Sequence, residues 1–234
     1  MKSLAIETTT RCGSLALLEG DTVVAERDLD SNLRSAASIT VCLRELMCEN
    51  KLVPKDFDLI AVASGPGSFT GLRVGVTVAK TLAYATGAEV LSVNTLEAIA
   101  VGSPEEIGPW WTVLEAQRQQ LFAAIFVRRG IEVETIRATH IIDIEIWLDQ
   151  LSPGDVVTGP AIAKLVARLP EGIRTHDPKF WQPRAACVGQ LAFAKFNSGL
   201  RDDLWKLTPQ YFRKSAAEEK ADSASERTGD RGQG

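Results

Sequence analysis

Histidine is almost missing from this chain. Its 234 residues hold two, His140 and His176, and residues 1–139 hold none. A histidine-based metal pair or acid–base couple is therefore excluded from the first half. The two that remain stand far apart, His140 reading as a surface or helix-entry residue and His176 as a loop residue. Cys12, Cys42, Cys48 and Cys187 show no C-x-x-C spacing, so no zinc site is expected and the thiols are expected to be reduced. No apolar run is long enough to span a membrane and Glu7 interrupts the opening segment, which argues against a signal peptide and for a cytoplasmic protein. A net charge of −4 gives no overall attraction to nucleic acid. Otherwise the composition, 45% hydrophobic and 24% charged, is that of an ordinary globular chain.

Glycine, by contrast, is concentrated. Four glycines and a proline fall in Ser64-Gly65-Pro66-Gly67-Ser68-Phe69-Thr70-Gly71-Leu72-Arg73-Val74-Gly75, between the apolar run at 59–63 and a helical pattern from Thr70. Proline fixes φ and glycine opens positive φ, so a sharp strand-to-helix turn is expected. Such a turn leaves backbone N–H groups at a helix N-terminus, where an anion or a partner's backbone docks. A tight connection that only packs helix on sheet has the same spacing. Gly71 is followed by Leu72 and Arg73, so the Lys-Ser/Thr of a phosphate loop is missing, as is the G-x-G-x-x-G order of a dinucleotide fold. With no G-x-S-x-G elbow, Ser68 and Thr70 read as turn and helix-capping hydroxyls.

Hydrophobic patterning gives strands at 2–8, 13–18 and 21–29, a helix at 35–50 and a buried strand at 58–63. A helix over 70–86 ends at Gly87, and a strand at 89–93 and a helix at 95–101 complete a first lobe over residues 1–101. Turn residues make 102–109 a linker. A smaller second lobe, 110–214, carries strands at 110–116, 121–128 and 131–138 and helices at 141–151, 160–169 and 185–198. From Ser215 the chain is polar with no aliphatic residue larger than Ala, so a disordered tail over 215–234 is expected.

Two first-lobe helices look too apolar for one buried face. Gly71, Gly75, Ala79 and Ala83 recur every four residues, a stripe that allows close helix approach. Ala36, Ile39, Leu43 and Leu46 belong to a similarly broad apolar surface on 35–50. A partner interface explains this excess, and so does a helix wrapped by its own protein.

The string Gly65 to Gly75 resembles the hallmark of the bacterial TsaB (YeaZ-like) family. In register with it, Leu4-Ala5-Ile6-Glu7-Thr8-Thr9-Thr10 is similar to the family's opening strand, with Glu7 where Asp is usual. Ser92-Val93-Asn94-Thr95-Leu96 resembles the step after the hallmark helix. Glu115-Ala116-Gln117-Arg118 stands where the family reads Asp-Ala-Arg, and Thr208-Pro209-Gln210-Tyr211-Phe212-Arg213 resembles its closing Pro-x-Tyr-x-Arg. The likeness is strong over 1–100 and patchy from 110 to 214.

What the resemblance implies is an α/β chain with the two-lobed fold of actin and the sugar kinases (ASKHA), related to the glycoprotease-like TsaD proteins. It implies a non-catalytic scaffold that pairs with a TsaD-type transferase in making N6-threonylcarbamoyladenosine on tRNA. A TsaE-type ATPase is a further implied partner, and a homodimer is implied in isolation. ATP, threonylcarbamoyl adenylate and metal then belong to the partner complex, with none held by this chain, and tRNA is met only through the complex. The interface falls on helices 35–50 and 70–86, at Ala36, Ile39, Leu43, Leu46, Gly75, Ala79 and Ala83. Glu7 and Glu115 read as structural, since an added methylene displaces a metal ligand more than it disturbs a hydrogen bond. Arg73 and Arg118 are the groups suited to pinning a loop or meeting an acidic partner. A stand-alone peptidase or ATPase is the alternative, disfavoured by the missing histidines.

Overall fold

Three strands open the chain in the computed structural model, which describes residues 1–30, 35–104, 108–130 and 132–213. They are β1 (Lys2–Glu7), β2 (Ser14–Glu19) and β3 (Thr22–Asp28), joined antiparallel with Ala5 opposite Ala16. β4 (Leu59–Gly65) and β5 (Glu89–Asn94) extend this sheet parallel to β1, in the order β3-β2-β1-β4-β5. β1, β2 and β4 are apolar on both sides because both sheet faces are covered. Leu4, Ile6, Leu15, Ile60 and Val62 pack under α1 (Ser35–Glu49) and α2 (Phe69–Thr86). Ala5, Ala16, Leu18, Ala61 and Leu91 meet α3 (Thr95–Gly102) and α6 (Ala185–Asn197) on the other face.

The second sheet contains β6 (Trp110–Glu115), β7 (Gln120–Arg129), β8 (Glu132–Asp143), β9 (Val156–Thr158) and β10 (Arg174–Thr175), in the order β10-β9-β6-β7-β8. Its outer face buries Trp111, Val113 and Val157 against α4 (Ile144–Asp149) and α5 (Ile162–Leu165), whose Trp147 is fully enclosed. Its inner face sets Trp110, Leu114, Phe122 and Phe126 against Leu96 and Ile99 of α3. One helix thus serves both lobes, with Ala98 and Val101 on the first sheet and Leu96 and Ile99 on the second. Two mixed sheets flanked by helices are the two-lobed α/β architecture expected from the sequence.

Several expectations need correction. The helix expected at 141–151 is strand as far as Asp143, where Ile141 and Ile142 pair with Phe122 and Leu121, and only Ile144–Asp149 is helical. The helix at 160–169 is one α turn followed by a 3-10 turn, and the short strands β9 and β10 were not foreseen. The linker is no free tether. Gly102 ends α3, Ser103 is fully buried and Arg128 donates to its carbonyl, while 105–107 lie outside the described residues, as does the expected tail from 215.

The largest correction concerns α6, assigned by chain order to the second lobe. Its Ala185, Val188, Leu191 and Ala192 lie in the core of the first sheet. Its N-terminus is held there too, with Ala185 N donating to Ser14 Oγ (2.9 Å) and Ala186 N to Glu26 Oε1 (3.0 Å), a carboxylate placed where the helix dipole favours it. Gly189 permits this contact, because a Cβ there would strike the Leu18 side chain. Leu191→Ala is accordingly expected to cost about 2–5 kcal/mol in denaturant unfolding. It should also speed amide exchange in β1 and β2. Faster exchange confined to β6–β8 would return α6 to the second lobe.

Candidate functional site

The C-terminal ends of the parallel strands β1 and β4 converge on the glycine-rich turn, the place where open α/β sheets carry their ligands. The turn is locked by the chain's own opening loop. Ser68 N donates to the Thr9 carbonyl (2.8 Å) and Thr8 Oγ1 donates to the Gly71 carbonyl (2.8 Å). A Cβ on Gly67 would lie 2.5 Å from that of Thr9, and one on Gly71 would run into the Thr8 carbonyl. A Cβ on Gly75 would run into the Thr8 hydroxyl in the same way, with Val62 at ordinary contact distance. Gly65 has φ 137° and precedes Pro66 through a cis peptide bond. Ser68 caps α2, its Oγ accepting from Gly71 N at 3.4 Å as foreseen, whereas Thr70 is exposed.

Glu7 lies directly beneath. It is wholly buried, Oε1 accepts from the Thr9 amide (2.5 Å) and hydroxyl (2.6 Å), and Oε2 has no hydrogen-bond partner among the described residues. Burial pushes this carboxyl up to about 7 against the lowering effect of its Thr9 and Thr10 hydrogen bonds. Glu115 is nowhere near that environment, being exposed and paired with Lys164 at 2.6 Å. Such a surface pair contributes about 0–1 kcal/mol. The two acids share no cleft.

Arg73 pins a loop. Its Nε donates to the Tyr211 hydroxyl (2.9 Å), its guanidinium lies 5.7 Å from that ring, and Phe69 stacks on the same ring at 5.1 Å between centroids. Arg118 sits in a backbone feature that the sequence hid. Gln117, Arg118 and Gln119 have φ of 61°, 50° and 60°, three consecutive left-handed residues without a glycine. Each costs about 1–2 kcal/mol. The turn is held by Ala116 N to Gln120 O (2.9 Å), Ile144 N to Gln119 O (2.9 Å) and Arg213, which donates to Ala116 O (2.6 Å) and to the Gln120 side chain. Tyr211 and Arg213 lie in the segment that resembles the closing Pro-x-Tyr-x-Arg, but nothing in that string reveals this role.

The small-residue stripe faces inward. Gly71, Gly75, Ala79 and Ala83 are buried against the first sheet, as are Ile39 and Leu46 of α1. These residues are core, and the interface assigned to them is corrected: the glycines make their close approach to Thr8, and Ala79 and Ala83 lie in the core cluster of the first sheet. Leu43 is half-buried and Ala36 exposed. The outer faces of these helices show instead Val41, Thr77, Thr81 and Tyr84, the last 69% exposed and in edge contact with Trp205. His140 lies in β8, and His176 is in the connection after β10 as expected, though it is buried there against Trp110. Burial raises the thiols of Cys42 and Cys187 to about 11, which leaves both inert. Among the described residues no three His, Cys, Asp or Glu side chains gather as a metal site, and no helix is long and apolar enough to cross a membrane.

The family model for TsaD, tRNA N6-adenosine threonylcarbamoyltransferase, matches residues 31–221. The tRNA threonylcarbamoyladenosine biosynthesis protein TsaB of Bacillus subtilis is 30% identical over 155 residues, which cover 66% of this chain and 68% of the relative. The chain belongs to the TsaB family, within the wider TsaD-related superfamily. TsaB of Escherichia coli is 26% identical over 231 residues, covering 93% of this chain and 96% of that protein. The solved structure of YeaZ from Pseudomonas aeruginosa superposes with a TM-score of 0.76 at 22% identity, covering 90% of this chain and 99% of that one, and shares the fold. In this chain the string Gly65 to Gly75 is pressed against Thr8 and Thr9.

Two outcomes follow from the geometry. A carboxyl whose folded value is raised from 4.5 to about 7 favours folding fully below 4.5 and loses that contribution as pH rises through 7. Stability should therefore fall by roughly 3 kcal/mol between pH 4.5 and 7.5 on account of Glu7. Glu7→Gln should remove that slope and exceed the parent in stability at pH 8. An unchanged slope in the variant would assign the pH dependence elsewhere. Ala79→Arg, at a fully buried position, should abolish the folded circular dichroism signal outright. A folded Ala79→Arg protein with altered association would reinstate the inward stripe as an interface.

Proposed function

We propose that this chain is a non-catalytic subunit in the biosynthesis of N6-threonylcarbamoyladenosine on tRNA, pairing with a TsaD-type transferase. The observation that carries the reading is the sealed hallmark turn. At the N-terminus of α2, Ser68 N and Gly71 N are already bonded to Thr9 O and Ser68 Oγ, and Thr8 and Thr9 fill the space beside the glycines. Transfer from an activated adenylate needs stabilisation of the charge forming on the leaving phosphate, commonly by a metal or cationic clamp. Arg73, the cation nearest this turn in sequence, is engaged by Tyr211. ATP, threonylcarbamoyl adenylate and metal are accordingly assigned to the partner complex.

The partner is expected on the outer faces of α1 and α2, where Val41 is 39% exposed and Tyr84 and Trp205 form an exposed aromatic pair. Aromatic anchors of this kind dominate protein interfaces. Homodimers of the isolated chain would use the same face, and a TsaE-type ATPase would join the assembled pair. With a net charge of −4, tRNA is recruited by the complex and not by this subunit.

The test is reconstitution with tRNA, ATP, bicarbonate, threonine, the enzyme that makes the adenylate, the transferase and this chain, omitting one component at a time. Modified adenosine should require both the transferase and this chain. Modification without the transferase, or full activity without this chain, would overturn the proposal. Val41→Asp combined with Tyr84→Asp should weaken pairing with the transferase at least about tenfold while circular dichroism is unchanged, since both positions face solvent.

A further inference from the structure

The chain's closing segment does something the two-lobed plan does not require. After α6 it runs back across α2, where Lys80 donates to the carbonyls of Trp205 (3.3 Å) and Leu207 (2.9 Å). Gln210 N then donates to the Ser64 carbonyl (2.8 Å), and the Gln210 carbonyl lies so close to Gly65 that a Cβ there would come within 2.5 Å of it. Tyr211 stacks on Phe69 and accepts from Arg73, all within the first lobe. One residue later Phe212 meets Phe122 of β7 edge-on at 6.1 Å, and Arg213 grips the left-handed turn of the second lobe. Four consecutive residues thus span from the glycine-rich turn to the β6–β7 turn.

The fit is close. The space left between the segment and the wall formed by Pro66, Phe69, Leu72 and Phe122 is about 10 Å³. That is about the room needed for a single water. The segment has no helix or strand of its own, and its purchase on each lobe is a handful of polar and ring contacts. Segments with so few contacts come from the low-stability end of a protein's opening spectrum.

We propose that residues 207–213 are a self-docked strap: an extended Tyr-Phe-Arg segment that occupies the cleft between the lobes in cis, clamps the lobes together and holds residues 117–119 in their left-handed turn. Release of the strap opens an apolar groove between the two turns, shaped for an extended aromatic–basic peptide. This inference stands on the intramolecular contacts alone and is independent of the function proposed above. It makes the two turns, which lie in different lobes, a coupled pair. A perturbation at one end of the strap must be felt at the other.

Hydrogen–deuterium exchange on the full chain tests this directly. Tyr211→Ala removes a contact in the first lobe only, yet should raise exchange at residues 116–120 at least about tenfold. Arg213→Ala removes the grip on Ala116 and Gln120 of the second lobe, yet should raise exchange at residues 65–71 to a similar degree. Amides of β1, β2 and α6 should be unaffected in both. Because either substitution could loosen the whole chain, a peptide of residues 205–213 is added in trans to each variant, where it should restore protection at both turns. Effects confined to the turn that each side chain touches, exchange raised uniformly across the first sheet, or no recovery with the peptide would each overturn the strap.

Discussion

Thr8 and Thr9 sit nearer to α2 than any side chain on the facing positions of that helix would allow. Gly67, Gly71 and Gly75 are glycine for that reason, and the contact sets much of what surrounds it. It brings the end of β1 against the start of α2, directs Thr8 Oγ1 to the Gly71 carbonyl, and closes the roof over Glu7. A carboxyl sealed in this way is pushed toward neutrality. One steric constraint thus accounts for both the glycine spacing and the burial of Glu7.

The same constraint places the molecule's polar emphasis elsewhere. With the turn filled from beneath by Thr8 and Thr9, its outer surface is covered by Gln210 and Tyr211, and Arg73 is drawn into the cover. Strain is then carried at a distance, in the run of three left-handed residues that Arg213 holds. Unfavourable backbone geometry persists only where its surroundings over-determine it. Here those surroundings include a segment almost a hundred residues further along the chain.

Much of the first lobe was legible in the sequence. Alternating and doubly apolar strands, a Ser68 cap and a Gly87 C-cap at φ 78° gave β1–β5 and α2 nearly to the residue. The second lobe was less readable because its signals are short or without period. Ile141 and Ile142 prolong β8 through pairing with β7, and β9 and β10 are too brief to show alternation. α6 was recognised as a helix, but which sheet it covers depends on Gly189 meeting Leu18, a long-range contact that chain order conceals. The stripe of Gly75, Ala79 and Ala83 was misassigned for a related reason: small residues at helical spacing mark close approach without saying to what. The 117–119 turn left no trace at all, since Gln-Arg-Gln carries none of the residues that favour positive φ.

If the hallmark turn is a sealed joint, the isolated chain should be blind to nucleotide, and calorimetric titration with ATP and ADP in the presence of Mg²⁺ measures this most directly. No saturable heat is expected up to millimolar nucleotide, for the parent and for Glu7→Gln alike. Saturable micromolar binding that is lost in Glu7→Gln would contradict the account, because it would show an open phosphate site where Thr8 and Thr9 are held to close it.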